Sequence, residues 1–108
     1  MDELLVAIGD PHRRTFLDAL SRRPATVNEL AELVPIARPG VSRHLRILRE
    51  AGLVDVLADG QRRIYSLRTD PLVELDDWLA PYREVWMQRI DALHTEISRG
   101  KKNERSKR

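Results

Sequence analysis

Proline and glycine confine one stretch of this 108-residue chain more tightly than any other: Thr26 to Val54, TVNELAELVPIARPGVSRHLRILREAGLV. Pro35 ends whatever helix precedes it, because proline disfavours helical geometry in the residue before it. Gly52 ends the next one as a left-handed cap. Only two short helices fit between these stops. The first opens at Val27, where Thr26 and Glu29 form a capping box that satisfies both free amides, and Val27, Leu30, Ala31 and Val34 recur on one face. The second opens near Arg38-Pro39, since proline is tolerated in a first turn, and runs to Ala51. Two helices joined by so tight a break make a helix-turn-helix.

At about 100° per residue the second helix divides into two sets. Val41, Leu45 and Leu48 share a core face; Pro39, Arg43 and Arg46 lie opposite, flanked by Ser42 and Ile47. A helix of this kind suits a DNA major groove. Its arginines can bridge to guanine edges or phosphates, and Ser42 can bond to either. Ile47 fits a thymine methyl or the underside of a loop. Gly40 lets the backbone approach closely, and the helix N-terminus favours a phosphate. An ordinary solvated face would also carry Arg38, Arg43, Arg46 and Arg49.

The rest of the chain frames this motif. Glu3 to Ile8 reads as a short helix with Leu4, Leu5 and Ile8 on one face, too short to stand alone. Asp10-Pro11 starts a second helix, Asp as cap and Pro in first position, continuing to about Ser21 with Phe16, Leu17 and Leu20 inward. His12, Arg13 and Arg14 fall in its first turn, where cations are mildly disfavoured. Phosphate contacts, salt bridges to a partner and a plain solvated turn all account for them. After Gly52 the period changes: Leu53–Leu57 and Arg62–Leu67 are strand-like around Ala58-Asp59-Gly60-Gln61, a hairpin and hence a wing. One of Arg62 and Arg63 is expected to reach DNA phosphate or minor groove. Asp70-Pro71 opens a long helix to about Arg99, with a kink or break expected at Ala80-Pro81. Along it Leu72, Leu75, Leu79, Tyr82, Trp86, Leu93 and Ile97, with Ile90 between, advance by threes and fours. A small monomer cannot hide that stripe, so a homodimer seam of this helix and the first one is expected. The tail from Gly100, with five basic residues and one acid, reads as disordered and weakly DNA-attracting.

Composition narrows the function classes. One domain of this length has little room for an enzyme with its own substrate pocket. No Gly-rich phosphate loop or paired nucleophile and base supports catalysis. Net charge is only +2, so affinity for DNA has to come from placement. From Pro11 to Arg68 eleven arginines face six acids, whereas from Asp70 to Ser98 seven acids face two arginines. The absence of cysteine removes disulfides and thiolate metal sites. No signal peptide or apolar run near 18 residues is visible, which predicts a cytoplasmic protein with no membrane partner.

The runs Ile8-Gly9-Asp10-Pro11-His12-Arg13-Arg14, Leu30-Ala31-Glu32-Leu33 and Arg38 to Leu48, with Ala51-Gly52-Leu53-Val54 and Arg62 to Leu67, resemble the ArsR/SmtB family of bacterial winged-helix repressors. The resemblance spans Leu4 to about Ile97 in family order. It implies a homodimeric DNA-binding regulator and marks Ser42, Arg43 and Arg46 as DNA readers. Two departures matter. Ala37 stands where the family usually has a serine cap. The Cys-x-Cys of many of its metal sensors is missing, with Glu32-Leu33-Val34-Pro35 in its place, and Asp91 with His94 is the nearest thing to the family's other, last-helix site.

The expectation is therefore a mainly α (α+β) winged helix-turn-helix with five to six helices and a two-stranded β wing. Residues 1–99 form the DNA-binding and dimerisation domain and 100–108 a disordered basic tail. The DNA-facing set is Arg38, Pro39, Gly40, Ser42, Arg43, His44 and Arg46, with Arg62, Arg63 and Arg13. The dimer set is Leu4, Leu5, Ile8, Leu75, Leu79, Tyr82, Trp86, Ile90 and Leu93. Double-stranded DNA and a second copy are the expected partners, with no metal and no cofactor. The alternatives are a metal- or small-ligand-responsive repressor with its site on the last helix, or a winged helix used for protein contacts.

Overall fold

A computed structural model describes residues 1–106, with side chains through residue 98. It has five helices and three strands among the described residues: α1 Asp2–Ile8, α2 Pro11–Leu20, β1 Ala25–Thr26, α3 Val27–Ala31, α4 Arg38–Glu50, β2 Val54–Asp59, β3 Arg62–Leu67 and α5 Asp70–Ser106. The chain divides into two compact units, Met1–Leu75 and the segment from Asp76 onward.

In the first unit each helix start is chemically explicit. Asp10 caps α2, its carboxylate accepting from the amides of His12 at 2.8 Å and Arg13 at 3.1 Å, and Pro11 takes the first helical position, where no N–H is needed. Thr26 and Glu29 complete the capping box of α3. That helix is shorter than its periodicity predicts, ending at Ala31 because Pro35 bars helical geometry at Val34; Val34 still turns inward. At the end of α4, Gly52 has φ +76°. Its amide donates to the Arg49 carbonyl at 2.9 Å, and the Leu53 amide donates to Leu48 at 3.0 Å. This is a Schellman closure, and Leu48 and Leu53, both fully buried, make the apolar contact that accompanies it. The turn aims Leu53 and Val54 into the core and begins β2.

The core joins Leu4 and Ala7 of α1, Phe16 and Leu20 of α2 and Leu30 of α3 to Val41, Leu45 and Leu48 of α4 and Tyr65 of β3. Truncating such a side chain costs about 2–5 kcal/mol, so the inner face of α4 fixes where its outer face stands. The sheet has the order β1-β3-β2, all antiparallel. Its β2–β3 hairpin is the expected wing, but β1 adds a third strand through Ala25 opposite Tyr65 and Thr26 opposite Ile64. Two residues are too few to show strand alternation. The hairpin turns through Gly60-Gln61, and Gly60 is the residue with positive φ, +63°, the pattern of a type II′ turn.

The segment from Asp76 onward lies within α5. Of the kink or break expected at Ala80-Pro81 the break is absent, since the helix continues through Pro81. It also continues through residues 100–106, which had been expected as an unstructured tail; residues 107–108 lie outside the described residues. Arg83 pairs with Asp76, and Trp78 and Tyr82 have ring centroids 5.0 Å apart. Trp78, Tyr82, Trp86, Ile90, Leu93 and Ile97 are all exposed.

Candidate nucleic-acid interface

The outer face of α4 follows from its inner one. With Val41, Leu45 and Leu48 buried, Arg38, Ser42, Arg46 and Arg49 fall at successive steps of four, four and three on the solvent side, and all four are exposed. This stripe forms one wall of an open groove. The wing supplies the other through Gln61, Arg62, Arg63 and Tyr65, and the start of α3 closes the end with Thr26, Val27 and Asn28. Five arginines line the groove and no carboxylate does.

Those arginines differ in freedom. Arg38 is tied to the Asn28 side-chain carbonyl. Arg62 bonds Asp59 at 3.0 Å, its direct cross-strand neighbour. Among the described residues the side chains of Arg46, Arg49 and Arg63 have neither an ion-pair nor a hydrogen-bond partner. Strand alternation puts Arg63 on the same face as buried Tyr65 and Arg62 on the other. Arg43 is exposed but lies outside the groove, on the neighbouring flank of α4.

The start of α4 bears out the missing cap: Ala37 makes no side-chain bond. Pro39 has no N–H and the Gly40 amide is already bonded to the Ala37 carbonyl at 2.9 Å, so the helix start offers a phosphate less than the bare cap implies. Gly40 has a packing reason as well, since a Cβ there would stand 3.3 Å from the Ile36 side chain. Beside the groove, Glu29 accepts from the Thr26 amide and hydroxyl; those bonds, the amide first, hold its carboxyl below the usual range.

Two residues expected to face DNA do not. Arg13 is buried, with Nε donating to the Ala7 carbonyl at 2.7 Å and Nη2 to the Val6 carbonyl at 3.0 Å. Its Nη1 meets His44 Nδ1 at 2.9 Å. The guanidinium thus satisfies the carbonyls that end α1, a need a first-turn arginine shows no sign of in sequence. His44, for its part, turns from the groove toward α2, its side chain only 17% exposed. Burial holds its imidazole below the usual histidine value against the opposing pull of Asp10, and Arg13 and His12 add to the lowering.

The dimer set also needs adjusting. Leu4 is 3% exposed, inside its own core, with nothing left to offer a partner. Ala7 shares that burial, while Leu5 and Val6 point outward; Ile8 and Leu75 are partly buried against the same core. Leu79 is half-buried, and Tyr82, Trp86, Ile90 and Leu93 remain exposed.

Sequence reasoning missed Asn28, Arg49 and Gln61 as groove residues. Only Arg49 had a signal, since it continues the stripe of Arg38, Ser42 and Arg46. Asn28 and Gln61 come from other elements and needed the fold. For metal, Asp91 and His94 are both exposed, and among the described residues no three His, Cys, Asp or Glu side chains form a group able to hold an ion.

A helix-turn-helix with a β hairpin beside its second helix, and an arginine-lined groove between them, defines a winged-helix DNA-binding protein. Residues 8–56 match the helix-turn-helix domain family HTH_20. The chain is 37% identical over 79 residues to the transcriptional repressor SdpR of Bacillus subtilis, covering 73% of this chain and 88% of that protein. It is 39% identical over 74 residues to the HTH-type transcriptional regulator Rv2034 of Mycobacterium tuberculosis, covering 68% and 69%. The solved structure of an ArsR family transcriptional regulator, RHA00566, superposes with a TM-score of 0.72 at 34% identity, covering 80% of this chain and 89% of that one. The chain belongs to the ArsR family of DNA-binding transcriptional regulators. No described helix is long and apolar enough to cross a membrane.

Proposed function

We propose that the protein is a homodimeric, cytoplasmic repressor without enzymatic activity that binds an inverted-repeat operator. Each copy lays residues 38–51 in a major groove, the two helices roughly 34–36 Å apart. The wing, residues 53–67, lies on the flanking backbone or minor groove. Ser42, Arg43 and Arg46 read bases, with Pro39 and Gly40 at the point of closest approach; Arg38, Arg62 and Arg63 position the duplex, and Arg49 joins them. The observation that carries this reading is the groove with five arginines and no carboxylate, on a chain whose net charge is only +2. A DNA duplex supplies the phosphates that such a groove accepts.

Pairing rests on α5. Tyr82, Trp86, Ile90 and Leu93 present an apolar seam with roughly half of each side chain in water, the kind of surface a second copy covers. Residues 1–99 thus serve as one binding and pairing domain, and the basic residues of 100–108 add sequence-independent attraction.

The test is a binding titration in rising salt with the DNA upstream of the protein's own gene and with a random duplex, followed by footprinting. The reading requires a steep salt slope together with a preference for the upstream DNA and an inverted-repeat footprint. A flat salt response with no preference would favour a winged helix used for protein contacts.

A further inference from the structure

The inner side of α4 holds a titratable group that DNA contact does not use. Arg13 of α2 donates to three acceptors at once: the Ala7 and Val6 carbonyls that end α1, and Nδ1 of His44 on α4. A guanidinium has only donors. His44 therefore accepts at Nδ1, which fixes it as the neutral tautomer carrying its proton on Nε2. The same Nδ1 stands 3.9 Å from a carboxylate oxygen of Asp10, the residue that caps α2. The imidazole thus sits between a cation whose hydrogen bond it accepts and an anion it does not yet bond. Adding a proton reverses both relations, because Nδ1–H faces the guanidinium donor head-on and has its natural acceptor in Asp10.

The charges acting on His44 are few. Asp10, His12 and Arg13 come from α2 and its cap, with the His12 ring centroid 5.8 Å away; Arg43 comes from α4 itself. The contribution of α1 is the pair of backbone carbonyls held through Arg13.

We propose that the Arg13–His44 bond is a proton-operated latch between α1 and the recognition helix, closed when His44 is neutral and opened by a proton on Nδ1, so that operator binding weakens in mild acid. Arg13 and His44 are positioning residues here, acting through the placement of α4. This inference rests on the reading of α4 as the DNA-contacting helix. Its direction is distinctive. Added positive charge at low pH ordinarily strengthens binding to DNA, whereas opening the latch weakens it. Burial, which holds His44 below the usual histidine value, keeps the latch closed at neutral pH.

The experiment uses the full chain. Imidazole nitrogen spectra of His44, hydrogen exchange of the α1 amides and affinity for a duplex selected from a random-sequence pool at pH 8 are followed from pH 8 to 5.5. Neutral His44 is expected to carry its proton on Nε2 alone. As it titrates, the protection of the α1 amides relative to their intrinsic exchange rates should fall several-fold, and affinity should fall several-fold between pH 7.5 and 5.5, the scale that one group with a lowered pKa allows. His44→Asn supplies a side-chain oxygen for Arg13 that does not titrate, so it should remove the fall; His12→Gln should retain it. A proton on Nδ1 of neutral His44, an equal fall in His44→Asn, or α1 exchange indifferent to His44 titration would overturn the latch. Failure to select any duplex at pH 8 would instead overturn the DNA-binding reading, leaving the spectra and the exchange to judge the latch alone.

Discussion

Arg13→Met separates a structural arginine from a DNA-contacting one. The methionine keeps most of the buried volume and removes the three side-chain donors. Each was bonded at 2.7–3.0 Å, to Ala7, Val6 and His44. A hydrogen bond involving a charged group contributes about 1.5–3 kcal/mol, but α1 is short and water can reach its end once the guanidinium is gone. The expected loss is therefore about 2–4 kcal/mol, less than the sum of three such bonds, or roughly 10 °C in Tm for a chain this size. Urea unfolding at matched protein concentration reads it, since pairing makes stability concentration-dependent. The salt slope of DNA binding, measured where the variant is folded, should not change, because Arg13 reaches no phosphate. Stability within about 0.5 kcal/mol of the parent, or a slope reduced by one unit, would refute the reasoning.

Among the exposed arginines, Arg46→Ala and Arg43→Ala should remove about 1–3 kcal/mol at particular base pairs and flatten discrimination, whereas Arg63→Ala and Arg62→Ala should weaken all DNA alike and lower the salt slope by about one unit each; competition between selected and random duplexes distinguishes the two patterns, and the reverse pattern would move the reading function to the wing. Leu79→Glu with Ile90→Glu should give monomers or aggregates with poor DNA binding in sedimentation, and a stable dimer after that change would remove α5 as the seam. Zinc, nickel, cobalt and cadmium should shift operator affinity by less than about threefold; a tenfold loss that disappears in His94→Ala would establish a metal site. Because the folded pKa of His44 is lowered, chiefly by burial, its contribution to stability is complete above the unfolded value of about 6.5 and is lost as pH falls toward and through the folded value. His44→Asn should flatten the unfolding free energy in that window.

The elements that the sequence made legible are those whose causes are local. The Asp10-Pro11 cap, the Thr26–Glu29 capping box, the Gly52 closure and the Gly60 hairpin each depend on a few neighbouring residues, and each stands where the residues place it. The division of α4 into an inner Val41, Leu45 and Leu48 and an outer Ser42, Arg43 and Arg46 needed only helical periodicity. Elements with distant or competing causes were less legible. The two-residue strand β1 exists because β3 passes beside Ala25 and Thr26, and nothing within those residues announces it. Pro81 illustrates competition: it removes one hydrogen bond and crowds the preceding turn, yet the residues on either side hold enough helical preference for α5 to continue.

The two residues wrongly expected to face DNA, Arg13 and His44, trace to one cause: backbone carbonyls at the end of α1 that need a donor. A basic residue in a first turn, as Arg13 is, reads as surface because its likeliest partners are water and anions. The carbonyls of Val6 and Ala7 change that, since a seven-residue helix ending inside the fold leaves acceptors that need a donor, and no pattern of side chains records them. Once Arg13 is drawn inward, His44 follows, 31 positions away along the chain, because the third guanidinium donor needs an acceptor of its own. On the outer face the same α4 sets arginines at the steps its core spacing dictates. One helix thus carries two polar surfaces with different logic: Ser42, Arg46 and Arg49, legible because solvent asks nothing of them, and His44, illegible because its role is fixed by the end of another helix.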